Sequence, residues 1–387
     1  MRILLWATTF GADLWSLARW LDARDDVDMR IVLDDPELFA RQPVARLYPL
    51  RSPLIRRRKW HSWIGVPGFR PHVTILDNWV PRRASSRAGF VLWHGFGWKG
   101  PNDRDEFATL HRQLGRCWGD PLQPNPRFRW HCFGPSDFTH RTEVSGFAPE
   151  NCRIVGAASH DVLVEPFDRA LVARDYAFDT ARTKTVLFAP TWHYGEVFAH
   201  WGNDAELLDR FVARARSHGA NVIFRLHDRF RFPPEYVALV ERIARKHGQV
   251  RLEFKNESPD NFVAMQLADV LVTNFSSIAN LFYATGRPTI HVYPVRSEDE
   301  AFTWRTLGRS GMTTRSVSSA KYVWKFPPER NGGLMARSFD ELLTELDRAL
   351  EEPDCCKARA EEFLRDHMMG ADGLVRERIW QALNELI

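Results

Sequence analysis

The sequence predicts an α/β protein of two consecutive Rossmann-like domains. Three observations carry that prediction. Short apolar runs alternate with amphipathic helical stretches, the pattern of parallel strands covered on both faces by helices. The alternation begins twice, at Arg2 and again near Lys184. Between about residues 162 and 183, polar and charged residues separate the two series.

"RILLWAT" opens as a strand, and in "GADLWSLARWLDAR" Leu14, Leu17, Ala18 and Leu21 mark one helix face. "VDMRIVLDD", "HVTILDNW" and "GFVLWHG" read as strands, "FATLHRQLGRCW" as a helix, and "FRWHCFG" and "NCRIVGAAS" as strands. The second series starts with the strand "TKTVLFAPTW". A helix closed by Gly219, the strand "NVIFRLHD" and a helix closed by Gly248 follow. "VRLEFK", "DVLVTNFSS" and "PTIHVYP" are strands, separated by the helices "PDNFVAMQLA" and "SIANLFYATG". From Arg296 to Gly333 the pattern loosens, and the chain ends in helices. Two such domains and terminal helices predict the GT-B architecture, facing a central cleft, with residues 1–170 in one domain and 171–387 in the other.

A chain of 387 residues can bury two cores, and 44% hydrophobic with 26% charged residues is ordinary globular composition. A net charge of +4 is too small to argue for nucleic acid. Only eight of the 53 basic residues are Lys. Arg suits bidentate phosphate recognition, though codon bias explains the skew equally well. The five cysteines form no CxxC pair with a His partner, which points to a reducing compartment and no zinc site. No window reaches about 18 consecutive apolar residues, and the first apolar run is too brief for a signal peptide. A cytoplasmic protein is expected. GxGxxG and GxxxxGK[ST] are both absent, which disfavours dinucleotide oxidoreductases and P-loop enzymes.

Several residues stand where open α/β sheets place ligands, just beyond strand ends. His94 and Lys99 lie in "VLWHGFGWKG", where Gly95, Gly97 and Gly100 let backbone amides approach an anion. His227 closes "VIFRLHD", with Arg225 on the same strand face. A backbone-bonded buried histidine is the plainer alternative there. Ser276 and Ser277 follow "VLVTNF" at a helix start, as phosphate-binding donors or as mere caps. Thr191 and Trp192 sit in the turn of "FAPTWHYGE". Asp103 to Glu106, "DRDE", has metal-like spacing but reads better as a solvated helix start. In residues 51–63, Arg51, Arg56, Arg57, Arg58 and Lys59 interleave with Leu54, Ile55, Trp60 and Trp63. That segment suits an anionic membrane surface, and a solvated basic loop explains it equally well.

Together these pieces resemble the CDP-glycerol glycerophosphotransferase family, enzymes of teichoic-acid and related polymer synthesis. The family's W-H-G-T-P-x-K is similar to "WHGFGWK", matching at Trp93, His94, Gly95 and Lys99, with Phe96 and Gly97 in place of Thr and Pro. "IVGAASHD" keeps Gly156 and Asp161, "APTW" matches at Ala189 to Trp192, and Leu226 and His227 match the family's L-H. "TNFSSIANLFYATGRP" keeps Thr273, Ser276, Ser277, Gly286, Arg287 and Pro288, with Asn274 where the family has Asp. Asp372, Gly373 and Arg378 echo a terminal D-G…R.

The resemblance implies transfer of glycerol phosphate, or a related alditol phosphate, from a CDP-alcohol to a hydroxyl of a surface polymer or lipid-linked glycan, releasing CMP. The first domain would be the acceptor side and the second the donor side. His94 would be the general base and His227 would assist the leaving phosphate. Thr191, Asn274, Ser276 and Ser277 would hold the donor, and Lys99, Arg225 and Arg287 would neutralise it. No metal or cofactor is implied. Two further readings remain, a GT-B glycosyltransferase using a nucleotide sugar and a non-catalytic nucleotide or glycan-binding protein.

Overall fold

The computed structural model describes the whole chain except residues 9, 94, 99–106, 192–196, 199, 295–301, 309–310 and 318–323. The described chain divides into two compact units. The first comprises Met1–Phe96, Asn102–Glu165 and Leu364–Ile387, and the second Gly97–Pro101 and Pro166–Phe363. The terminal helix, assigned from the sequence to the second domain, therefore belongs with the first.

The first unit holds seven parallel strands: β1 (Arg2–Trp6), β2 (Asp28–Leu33), β3 (Leu54–Arg56), β4 (Val73–Leu76), β5 (Ala88–Val91), β6 (Phe128–Cys132) and β7 (Cys152–Ile154). They are ordered β3-β2-β1-β4-β5-β6-β7. Every residue of β4 and β5 is buried, which is why both read as almost wholly apolar runs, Thr74 being the one polar side chain. Gly89 in β5 is dictated by packing: a Cβ there would lie 2.5 Å from Cδ2 of the buried Trp118.

Strand β3 falls inside the basic segment and is not predicted by the sequence pattern. Its three residues are too few for periodicity, and it pairs with β2 in the register Ile31↔Leu54 and Val32↔Ile55. This pairing sets Arg56 against Asp35 and Glu37, and Arg57 against Asp34. The adjoining Trp60, Trp63 and Ile64 remain 45%, 53% and 67% exposed.

The last helix, Val375–Asn384, docks within the first unit on the helix Ala158–Leu163. The Asp161 carboxylate accepts the Val375 and Arg376 backbone N–H groups at 3.2 and 2.9 Å and pairs with the Arg376 guanidinium at 3.1 Å. Gly156, at φ +95°, makes room, since a Cβ there would lie 2.9 Å from Val375 Cγ2. Gly156 and Asp161 thus form one structural joint with Val375 and Arg376, which lie between Asp372 and Arg378 of the terminal D-G…R motif.

The second unit holds β8 (Thr185–Phe188), β9 (Asn221–Leu226), β10 (Val250–Phe254), β11 (Val270–Thr273) and β12 (Thr289–Val292). An antiparallel hairpin of β13 (Phe302–Gly308) and β14 (Gly311–Val317) follows, then β15 (Leu334–Ala336). The parallel sheet runs β10-β9-β8-β11-β12-β15. The hairpin lies in the stretch in which the sequence shows no regular pattern, and the short edge strand β15 directly follows that stretch. The helix Phe339–Glu351 packs on this sheet and starts at Ser338, whose side chain accepts the Glu341 N–H. Among the described residues all five cysteines are free thiols, and no helix is long and apolar enough to cross a membrane.

Candidate active site

The second sheet reverses its strand order between β8 and β11, the kind of point where open α/β sheets bind ligands. Side chains tie the two strand ends together. Thr191 N–H donates to Asn274 Oδ1 at 2.6 Å, and Thr273 Oγ1 donates to the Ala189 carbonyl at 2.8 Å. Thr191 is half-buried and Asn274 fully buried. The chain then passes through Phe275 at φ +60°, a left-handed conformation a phenylalanine adopts only under tertiary constraint. Ser276 and Ser277 follow, both partly exposed, before the helix Ile278–Phe282. Ser277 precedes the helix yet makes no side-chain capping bond. Capping therefore does not account for that serine.

His227 follows β9, the strand on the other side of β8. Its side chain is 25% exposed. Nδ1 lies 2.8 Å from the Asp228 backbone nitrogen and 2.9 Å from the Asp228 carboxylate. A neutral Nδ1 accepts the backbone N–H, and a protonated one donates to the carboxylate, so each protonation state of the ring has a partner. Burial lowers the ring's pKa below its ordinary value, with Asp228 pulling the other way. Burial also works against the Asp228 charge, yet hydrogen bonds from His227 and from Arg231, at 2.8 Å, hold that carboxyl well below the usual range.

Two predicted cations take other places. Arg225 is buried, with Nη1 3.3 Å from Glu253 and Nη2 donating to the Ser258 and Pro259 carbonyls at 3.1 and 3.4 Å. Its donors are spent inside the unit. Arg287 precedes β12, so it stands at the amino edge of the sheet while Ser276 and Ser277 stand at the carboxyl edge. Its guanidinium donates to the Gln266 carbonyl at 3.0 Å and to that of Ala268, and burial lowers its pKa to about 10. The structure does not bring Arg287 to the serines.

Lys255, which sequence reasoning missed, supplies positive charge beside His227. It is half-buried just after β10, its N–H donates to the Leu226 carbonyl at 3.0 Å, and its charge acts on both His227 and Asp228. A lysine directly after the strand "VRLEF" was the available signal. His94 and Lys99 lie outside the described residues, as do Trp192, His193 and the "DRDE" stretch. Gly95 is described and half-buried shortly after β5. Among the described residues no group of His, Cys, Asp or Glu is arranged to hold a metal ion.

The family described as CDP-Glycerol:Poly(glycerophosphate) glycerophosphotransferase matches residues 143–297. The chain matches a glycerophosphotransferase family. No curated protein sequence matches it. Among solved structures, the wall teichoic acid polymerase TagF superposes with a TM-score of 0.68 at 11% identity, covering 99% of this chain and 88% of that one. A histidine-to-asparagine variant of TagF soaked with CDPG gives 0.66 at 10% identity, covering 100% and 88%. The UDP-GlcNAc 2-epimerase from Neisseria meningitidis, bound to UDP-GlcNAc, gives 0.56 at 11% identity, covering 100% of both chains. The fold is of GT-B type, as the doubled alternation predicts.

The glycerophosphotransferase match takes in "IVGAASHD", "APTW", "RLHD" and "TNFSS…TGRP" and stops short of "WHGFGWK" and the terminal D-G…R. Within the match the motifs divide by what they do. Asp161 and Arg287 are held in internal contacts, whereas Thr191, His227 and the two serines follow the carboxyl ends of β8, β9 and β11.

Proposed function

We propose that the chain is a glycerophosphotransferase-like enzyme that moves glycerol phosphate, or a related alditol phosphate, from a CDP-alcohol to a hydroxyl of a surface polymer or lipid-linked glycan. The observation that carries the reading is the strand-order reversal of the second sheet. There Thr191 and Asn274 are bonded and the partly exposed Ser276 and Ser277 stand one strand from the end of β11's neighbour β8, with His227 after β9. The family match and the likeness to a polymerase soaked with CDPG support it.

In this reading the acceptor oxygen attacks the phosphorus bearing the glycerol and forms a new P–O bond. The bond from that phosphorus to the bridging oxygen breaks, and CMP leaves with its electron pair. His94 takes the acceptor proton. His227 stabilises the leaving phosphate by donating a hydrogen bond from its ring. Ser276 and Ser277 donate to phosphate oxygens, and Lys255 takes the neutralising role expected of Arg225.

A nucleotide-sugar transferase is the second reading, favoured by the likeness to the epimerase and by Phe96, Gly97 and Asn274, which depart from the family pattern. The test is nucleotide release from CDP-glycerol, other CDP-alcohols and nucleotide sugars in the presence of a membrane extract. CMP release from CDP-glycerol, abolished in His94→Ala, is the expected result. Release of UDP or GDP alone overturns it, and nucleotide binding without turnover of any donor leaves the non-catalytic reading.

Peripheral attachment to an anionic membrane, on its cytoplasmic face, belongs to the same proposal. The exposed Trp60, Trp63 and Ile64, with Arg58 and Lys59 beside them and the Arg82 guanidinium 5.1 Å from the Trp63 ring, form the membrane-facing patch. Arg56 and Arg57 contribute less, since acidic partners hold them. Co-sedimentation with vesicles containing anionic lipid should fall in Trp60→Ala/Trp63→Ala and with added salt. Equal sedimentation of variant and wild type rejects the patch.

A further inference from the structure

Trp98 is the variable position of "WHGFGWK", and the chemistry above makes no use of it. Yet it is among the most deeply buried side chains of the molecule, at 1% exposure. Gly97 and Trp98 cluster with the second unit, although the chain up to Phe96 clusters with the first. There the indole meets four aromatic rings, with centroids 5.4 Å from Phe275, 5.7 Å from His291, and 5.5 Å from both Phe326 and Phe363. Its Nε1–H donates to Asn280 Oδ1 at 2.6 Å, and its carbonyl accepts the Lys325 N–H at 2.9 Å.

Two of these partners flank the serines. Phe275, held at φ +60°, directly precedes Ser276, and Asn280, fully buried, lies one turn into the helix that follows Ser277. A left-handed phenylalanine costs on the order of 1–3 kcal/mol and persists only where its surroundings enforce it. The Phe275 ring is enclosed by Trp98, by His291 at 4.4 Å and by Trp324 at 4.9 Å. Trp98 thus braces the turn from both sides, through the Phe275 ring before it and the Asn280 amide after it.

We propose that Trp98 is a positioning residue: by packing on Phe275 and bonding Asn280, it fixes the Phe275–Ser277 turn in the conformation that presents Ser276 and Ser277 to phosphate. The inference rests on the reading of those serines as the phosphate-holding groups. Trp98→Phe keeps the aromatic packing and removes the hydrogen bond, and Asn280→Leu removes the same bond from the other side.

Binding of CMP, cytidine and inorganic pyrophosphate is measured by calorimetry on the full chain, with melting temperatures alongside. Each variant should weaken CMP and pyrophosphate about tenfold, and the double variant no more than either alone. Cytidine, which lacks phosphate, should bind unchanged. In a Ser276→Ala/Ser277→Ala background, Trp98→Phe should add nothing. Equal weakening of cytidine and CMP, or additive losses, would assign Trp98 a general packing role and overturn the proposal, as would unchanged pyrophosphate binding. Pyrophosphate carries no base. If it responds as expected while CMP does not bind at all, the CDP-alcohol reading fails and the role of Trp98 stands.

Discussion

Two strand–turn–helix segments can be laid side by side. In the first unit β7 leads through Gly156 to the helix Ala158–Leu163. In the second, β11 leads through Phe275 to the helix Ile278–Phe282. Each carries serine near the helix start, Ser159 within the first helix and Ser276 and Ser277 just before the second. In the first, Ser159 donates its N–H and its hydroxyl to Asp13 at 2.8 and 2.7 Å, Asp161 receives the last helix, and everything is buried. In the second, Ser276 and Ser277 stay partly exposed. The local chemistry is alike, and the difference is a covering element. In the first unit the helix Ala12–Asp22 takes up Ser159 through Asp13, and Leu364–Ile387 takes up Asp161, so the polar groups there become a joint.

The sharpest way to break this comparison is to remove the joint. Asp161 has no exposed side-chain surface and its partner Arg376 only 13%. Asp161→Ala removes one of the two carboxylates that hold the Arg376 guanidinium, Glu165 remaining at 3.1 Å, and leaves two helix N–H groups without their acceptor, at about 1–3 kcal/mol each. Urea unfolding should register that loss, and limited proteolysis should release the C-terminal helix. Asp161→Asn keeps an acceptor and should lose less. Stability unchanged in Asp161→Ala would mean that the segment is not a joint.

The second test contrasts two residues of one motif, "NFSSIANLFYATGRP". If the serines hold phosphate as proposed, Ser276→Ala/Ser277→Ala removes donors to a charged group, about 1.5–3 kcal/mol each, so donor KM should rise tenfold or more with the melting temperature little changed. Arg287→Met should do the reverse, lowering the melting temperature and leaving KM alone, because its donors serve the Gln266 and Ala268 carbonyls. Should Arg287→Met raise KM as the serine variant does, the separation across the two sheet edges is functionally empty.

These cases indicate how much was legible. Mostly apolar runs buried on both faces, such as β4, β5, β8 and β11, announce themselves, because burial leaves room only for polar side chains that find a partner, such as Thr74 beside Ser86 and Thr273 on the Ala189 carbonyl. The three-residue edge strands β3 and β15 do not, since their stability comes from pairing and not from their own pattern. That the serines, Thr191 and His227 follow strand ends was readable, because a position just after a strand is defined by the chain itself. The partners of Arg225 and Arg287 were not, because they depend on which carbonyls or carboxylates the fold brings to each arginine. Trp98 was illegible for a related reason: nothing in "WHGFGWK" says that its indole is buried against the Phe275–Ser277 turn.

The smallest expected effect separates two histidines. His131 in the first unit is fully buried, with Nε2 2.6 Å from the Gly156 carbonyl, and His227 in the second is partly open. Burial lowers the pKa of both rings, though Asp13 and Asp228 respectively oppose it. The unfolded chain therefore takes up these protons first as pH falls. Their stabilising contribution is full above the unfolded value of about 6.5, and it is lost as pH drops from there towards the folded pKa. Asp228, whose folded pKa is depressed, adds its own loss only in the lower carboxylate range. His227→Gln should flatten the fall in urea midpoint just below pH 6.5 without abolishing it, since His131 still contributes. A pH slope identical to wild type would mean that His227 titrates in the folded protein as it does in the unfolded chain.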